Sequence, residues 1–204
     1  MTRKPQQRTI RTRARLLDAA RTLSAIHGIE TVTAEAVAAR AGVAKGTVFA
    51  HFGDMDGLLS YVLLDRLQAL KTSAEAEAPN AALPADPVDL LLERMMALIA
   101  VVTENPTILR LLLDNIGVTK PHCAPDFVAT LDALDADLAA FLTLWQETPD
   151  AAPPLRQDRT PVELVDGLIA FMIHGAILFT SHQLADLELL KARLKRHVEA
   201  FVLA

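Results

Sequence analysis

Apolar positions recur along this chain at helical spacing from one end to the other, and turn residues mark the interruptions. Ile10, Ala14, Leu17, Ala20 and Leu23 form a first stripe, with Arg11, Arg15 and Arg21 between them, predicting a helix over residues 9–27. Residues 1–8 read as a flexible basic arm. Gly28 stops this helix, as a glycine just past a helix end does. Thr33 caps a second helix reaching about Arg40, with Val37 and Ala41 facing inward. Gly42 makes a tight turn, Val43 fills the gap behind it, and a third helix covers about 44–51. Two short helices across a glycine turn predict a helix-turn-helix.

Asp54 caps a fourth helix with Leu59, Leu63, Leu67 and Leu70 in line, fading over 75–79. Residues 79–87 hold three prolines and read as a loop. A fifth helix over 88–104 turns Leu91, Met95, Ile99 and Val102 inward. Asn105-Pro106 opens a short sixth helix to about Ile116, and 117–125 is a loop. A seventh helix over 126–146 sets Phe127, Leu131, Leu134, Leu138, Phe141 and Trp145 on one face and Asp132, Asp135 and Asp137 on the other. After a proline-rich stretch, Thr160-Pro161-Val162-Glu163 combines an N-cap, a first-turn proline and a capping-box acid. They open a helix to about His182 that is apolar almost all round. Leu187, Leu190, Leu194, Val198 and Phe201 align in a last helix over 186–202. The pattern is all-α with about nine helices and no internal repeat. It divides into a helix-turn-helix domain over 1–53 and a larger helical bundle over 54–204.

Composition narrows the class. At 51% hydrophobic and 22% charged residues the chain is globular, and leucine and alanine favour helix. Cys123 is the single cysteine, so no internal disulfide forms and a reducing, cytoplasmic setting is expected. No secretory signal is visible, and the apolar run over 168–179 is shorter than a bilayer span, so it reads as a buried helix. Charge is uneven. Residues 1–53 carry nine Lys and Arg against three acids, a net +6, which leaves −11 on the remainder of a chain whose total is −5. A basic end on an acidic body directs one end toward a polyanion.

The candidate chemistry sits in Gly42-Val43-Ala44-Lys45-Gly46-Thr47-Val48-Phe49-Ala50-His51-Phe52. A helix entering the major groove needs a small N-terminal end for close approach and a few polar side chains for base edges. Ala44 and Gly46 supply the small surface, and Lys45 and Thr47 supply a donor and a hydroxyl for bases or phosphates. Phe49 suits a sugar or a thymine methyl, while His51 suits a phosphate. Thr33 and the second helix's N-terminus can hold another phosphate. Arg8, Arg11 and Arg13 are candidates for arm contacts. Phe52 reads as core, closing the three-helix unit.

Residues 12–59 resemble the DNA-binding domain of TetR-family transcriptional regulators. The resemblance rests on the run 13–20, Gly28, Thr31-Val32-Thr33, Val37-Ala38, Arg40-Ala41-Gly42-Val43, Lys45-Gly46-Thr47, His51-Phe52 and Leu58-Leu59. Departures from the family pattern are Ala44 for serine at the cap, Phe49 for tyrosine, Met55 for lysine and Ser24 for phenylalanine. They predict DNA binding that is weaker, or leans more on the basic arm, than is usual for the family. The resemblance implies a small-molecule pocket in the helices from Asp54 onward and a homodimer through helices 160–182 and 186–202. Gly167, Ala170, His174 and Gly175 would then permit close approach of helices. Candidate pocket residues are Met95, Met96, Ile99, Leu112, Phe127, Leu131, Trp145, Phe171 and His174, with Asn115 and Thr103 behind. Such a lining suits a hydrophobic effector.

The leading reading is a ligand-responsive regulator, a repressor in most of the family, bound as a dimer to palindromic operator DNA. The alternative is a helical protein-interaction adaptor with a degenerate helix-turn-helix. An enzyme is disfavoured. The chain has no Gly-rich phosphate loop, metal-ligand pair or nucleophile elbow, and His122-Cys123 has no evident third partner. No catalytic residue, metal or cofactor is expected, and the partners are double-stranded DNA, the effector and a second copy, with no membrane.

Overall fold

Basic and glutamine-rich residues ahead of the first apolar stripe are themselves good helix formers, and a proline in a first turn gives up a hydrogen bond no helix makes there. In the computed structural model, which describes residues 3–76, 82–115, 121–184 and 186–204, α1 accordingly spans Arg3–His27. The flexible arm expected over residues 1–8 is therefore helix from Arg3 onward. The expected fade of the fourth helix beyond residue 76 and the sixth helix's end at Ile116 lie outside the described residues. So do parts of the loops expected over 79–87 and 117–125.

The remaining helices among the described residues are α2 (Ala34–Ala41), α3 (Lys45–Phe52), α4 (Met55–Ala76), α5 (Pro87–Thr103), α6 (Pro106–Leu113), α7 (Phe127–Glu147), α8 (Pro161–Thr180) and α9 (Leu187–Val202). A 3-10 turn at Ile29–Thr31, not anticipated from the sequence, joins α1 to α2. Among these residues the only strand-like pairing is one isolated bridge, Leu155 with Leu203, so the fold is all-α. Helix starts are capped by side chains, at Thr33, Asp54 and Thr160 as expected and at Asp86 and Asp186 in addition. Thr33 Oγ accepts from the Ala36 N–H, Asp54 Oδ1 from Gly57, Asp86 from Asp89, and Asp186 from Leu189. Thr160 and Glu163 form a reciprocal capping box at α8. Each such cap contributes about 1 kcal/mol.

The chain forms two compact units, residues 1–66 with 110–129, and 67–109 with 130–204. In the first, Leu16, Ala20, Val37, Val48, Phe52, Leu58 and Leu63 are buried together with Leu111, Leu112 and Phe127. Ser60, fully buried, accepts from the Ala124 N–H at 2.8 Å, and Arg110 makes a bidentate pair with Asp56 at 2.6 and 2.9 Å. These contacts hold the turn at 121–124 and the end of α6 against the start of α4.

In the second unit, Leu91, Leu92, Met95, Ile99, Leu142, Trp145, Leu164, Leu168, Leu194 and Val198 form the core. The Trp145 indole N–H donates to the Pro153 carbonyl at 2.9 Å. α8 is 20 residues long, longer than the apolar run used to set a bilayer span aside, and by length and composition it is able to cross a membrane. A third of its apolar window is buried within this chain.

Candidate functional site

Gly42 takes the left-handed backbone, φ 61°, that glycine adopts most easily, and its N–H bonds back to the Ala38 and Ala39 carbonyls. The chain thereby reverses out of α2 and starts α3 three residues later. Two arginines of α1 hold the pair of helices from behind: Arg15 donates to the Ala41 carbonyl and Arg13 to the His51 carbonyl. Both carbonyls lie at helix C-terminal ends, where a cation is favoured. The Arg13 guanidinium also sits 4.2 Å from the centre of the Phe52 ring and 4.8 Å from that of Tyr61. Arg13, a candidate arm contact in the sequence, is thus committed to the inside of the unit.

α3 buries Val48 and Phe52 and leaves the opposite face to solvent. Ala44, Lys45, Gly46, Phe49 and Ala50 are exposed, and Thr47 and His51 are half-buried. Nothing stands within 4 Å of where a side chain at Gly46 would begin. Ala44 occupies the N-cap with no side-chain hydrogen bond, the consequence expected of replacing a serine there. The Ser24 departure also has a local cause: its buried hydroxyl accepts from Arg66 at 2.8 Å, a contact a phenylalanine would exclude.

Lys45 has a partner that no local sequence signal announces. Its ammonium pairs with Glu35 in the first turn of α2, and both side chains are more than half exposed. The Lys45 hydrogen bond holds the Glu35 carboxyl below its ordinary range. The pair ties the start of α3 to the start of α2, beside Thr33. Gln7, Arg8, Arg11, Thr12 and Arg15 of α1 line an open groove with Gly42 and Val43. The structure therefore gathers Arg11, Thr33, Ala44, Lys45, Thr47, Phe49 and His51 in the first unit.

The pocket residues fall differently. The second unit holds a partly open cavity of about 270 Å³ between α4, α5, α7 and α8, with apolar walls from Leu70, Met95, Leu98, Leu134, Leu138 and Met172. Arg94, Asp135 and Asp137 supply half-buried polar groups, and Ser73 and Glu93 stand exposed at the rim. Of the sequence candidates, Met95 lines it, whereas Met96, Ile99, Thr103, Leu112, Asn115, Phe127, Leu131, Trp145, Phe171 and His174 do not. Ile99 and Trp145 are core of the second unit, and Leu112 and Phe127 are core of the first. Phe171 stacks on His197 at 5.4 Å and meets Phe201 edge-on, and His174 is exposed. Asp135 and Asp137, expected on the solvated face of α7, are half-buried at the cavity. Desolvation pushes the Asp135 carboxyl above its ordinary range, and the neighbouring carboxylates Asp132 and Asp166 push it further. Asp135 adjoins Leu134 and Asp137 adjoins Leu138, at the edge of the apolar stripe, which was the available signal.

A small-faced helix held behind a glycine turn, on a unit rich in exposed arginine, defines a helix-turn-helix DNA-binding protein. Residues 16–62 match the sequence model described as bacterial regulatory proteins, tetR family. None of the curated proteins matches this sequence. Solved structures with a similar fold include Thermus thermophilus FadR, a TetR-family transcriptional repressor, in complex with lauroyl-CoA. It is 20% identical, covers 93% of this chain and 92% of its own, and gives a TM-score of 0.62. RolR in complex with resorcinol is 17% identical over 95% of this chain and 90% of its own, with a TM-score of 0.61. The TetR-family regulator PfmR, also from Thermus thermophilus, is 19% identical over 92% and 97%, with a TM-score of 0.57. The N-terminal unit carries the helix-turn-helix of the TetR family, and the chain has the fold of solved TetR-family regulators.

Proposed function

We propose that this protein is a ligand-responsive transcriptional repressor that binds palindromic operator DNA as a homodimer and leaves it on binding a small apolar effector. The observation that carries the reading is α3. A helix with Val48 and Phe52 buried and Lys45, Gly46 and Thr47 on its outer face is shaped to enter a major groove. Arg8 and Arg11 add phosphate contacts beside it, and the α2 N-terminus adds backbone donors.

The dimer surface is the outer side of α8 and α9. Val162, Ile177 and Leu189 are 63%, 42% and 52% exposed, and Ala170 and His174 are exposed with them. Gly167 and Gly175 serve the packing of α8 on α9 within one chain instead. A methyl at Gly167 would stand 2.3 Å from the Phe201 ring, and one at Gly175 would stand 2.9 Å from Leu190. We assign the apolar face of α8 to a second copy and not to lipid, because its first two turns carry a capping box and the exposed carboxylates Glu163 and Asp166. The protein then works in the cytoplasm. Domain limits of 1–53 for the DNA reader and 54–204 for the sensor place α4 at the head of the sensor, and effector binding acts through it by favouring the state that does not bind DNA.

Selection from a random duplex pool followed by mobility shift tests the reading. A palindrome with half-sites spaced by helical turns is expected, and Thr47→Ala relaxes its sequence preference with a loss of about 1–3 kcal/mol. Recovery of no preferred duplex contradicts the reading and favours an adaptor.

A further inference from the structure

The cavity in the second unit has an electrostatic character that specifies its ligand more narrowly than its apolar walls do. Asp137 Oδ2 is buried without a hydrogen-bond partner among the described residues. A buried acceptor left unpaired is costly, and native structures rarely leave one without water, an ion or a ligand group. Two half-buried carboxylates, Asp135 and Asp137, line the cavity with one cation, Arg94, and a third carboxylate, Glu93, stands exposed at its rim. The Arg94 guanidinium lies 5.1 Å from the centre of the Phe141 ring, and its Nε is itself buried without a partner. Desolvation, and then the neighbouring carboxylates Asp132 and Asp166, raise the Asp135 carboxyl.

Resting on the reading of this cavity as the effector site, we propose that its ligand is a small apolar organic cation, an aryl- or alkylamine whose ammonium donates to Asp137 and faces Asp135. An ammonium supplies the donor that Asp137 Oδ2 lacks and offsets the excess negative charge. A carboxylate ligand adds to that excess, and a purely apolar one leaves the buried oxygen unpaired. The apolar walls from Leu70, Met95, Leu98, Leu134, Leu138 and Met172 suit an organic cation rather than a hydrated inorganic one. A volume of about 270 Å³ suits a single aromatic ring with a short aminoalkyl tail. The unpaired Arg94 Nε offers a donor to any acceptor the same molecule carries.

The test is calorimetry on the full-length protein at neutral pH with three probes of one skeleton: phenylbutylamine, phenylbutanol and phenylbutyrate. The amine is expected to bind at least about tenfold more tightly than the alcohol, the scale of one charge-assisted hydrogen bond, and phenylbutyrate is expected not to bind. Asp137→Asn weakens the amine about tenfold or more, whereas Glu147→Gln on the exposed end of the same helix leaves it unchanged. Tightest binding of phenylbutyrate, equal binding of all three, binding of none, or an Asp137→Asn variant that holds the amine unchanged overturns the proposal. The probe series on the unaltered protein decides the matter even if the variant fails to fold. A mobility shift on the same preparation separates the two levels. Duplex binding without amine binding defeats the ligand class alone, and absence of sequence-specific duplex binding defeats the regulator reading beneath it.

Discussion

Replacing Gly46 by alanine should move stability and DNA affinity in opposite directions. Gly46 is the second residue of α3 and has no atom within 4 Å of the position a Cβ would take, so the methyl meets no obstacle in the folded protein. Its backbone is already helical, and a glycine there costs the unfolded-to-folded transition more entropy than an alanine. The gain is about 0.5–1 kcal/mol, which for a chain of this length raises Tm by about 1–4 °C. On DNA the same methyl projects from the face that approaches the base edges. Forcing an extra methyl into a close-packed contact costs about 1–3 kcal/mol, or roughly fivefold to a hundredfold in Kd. Thermal denaturation followed by circular dichroism gives the first quantity, and a mobility-shift titration against the selected duplex gives the second. A more stable variant with unchanged affinity would refute the placement of α3 in the groove. A less stable variant would refute the open environment assigned to Gly46.

Other substitutions test the remaining parts. Glu35→Gln removes the carboxylate that holds Lys45 and takes a negative charge away from the expected phosphate surface. Duplex binding should tighten about twofold to fivefold, the range of an exposed ion pair, and weaker binding in a titration at fixed salt would contradict this. Thr160→Ala dismantles the capping box of α8 and should cost about 1 kcal/mol in urea denaturation. Asp135→Asn should raise Tm at neutral pH. Because the folded protein raises the Asp135 carboxyl, the charged form is the disfavoured one. The penalty grows as pH rises through the ordinary carboxylate range and vanishes below it, so variant and parent should converge in acid. A Tm difference independent of pH would show that the effect is not electrostatic.

Helices were legible because their signals are local. Thr33, Asp54, Asn105, Thr160 and Asp186 mark helix starts by chemistry confined to one turn, and the structure uses each that way. The apolar stripes gave element type for the same reason. The extension of α1 to Arg3 was not legible, because a run of arginine, lysine and glutamine suits a solvated arm and also propagates a helix. Partners distant in sequence were not legible. Arg13 on the His51 carbonyl, Arg66 on Ser24 and Arg110 on Asp56 each join residues about forty or more positions apart. The pocket was harder still. Ile99, Trp145 and Leu134 have the same apolar character, and only packing decides which of them fills the core and which borders empty space. Asp135 and Asp137 read as solvated because helical phase assigns a face and not the depth to which a neighbouring helix covers it.

The claim on which the account turns is that the first unit binds a duplex through α3 and the arginines of α1. The salt dependence of binding to the selected duplex measures this most directly. If Arg8, Arg11 and Lys45 of each of two protomers neutralise phosphates, log K against log salt should fall with a slope of about −5. A slope near zero would contradict the account, since no protein reading DNA through these cations can be indifferent to salt.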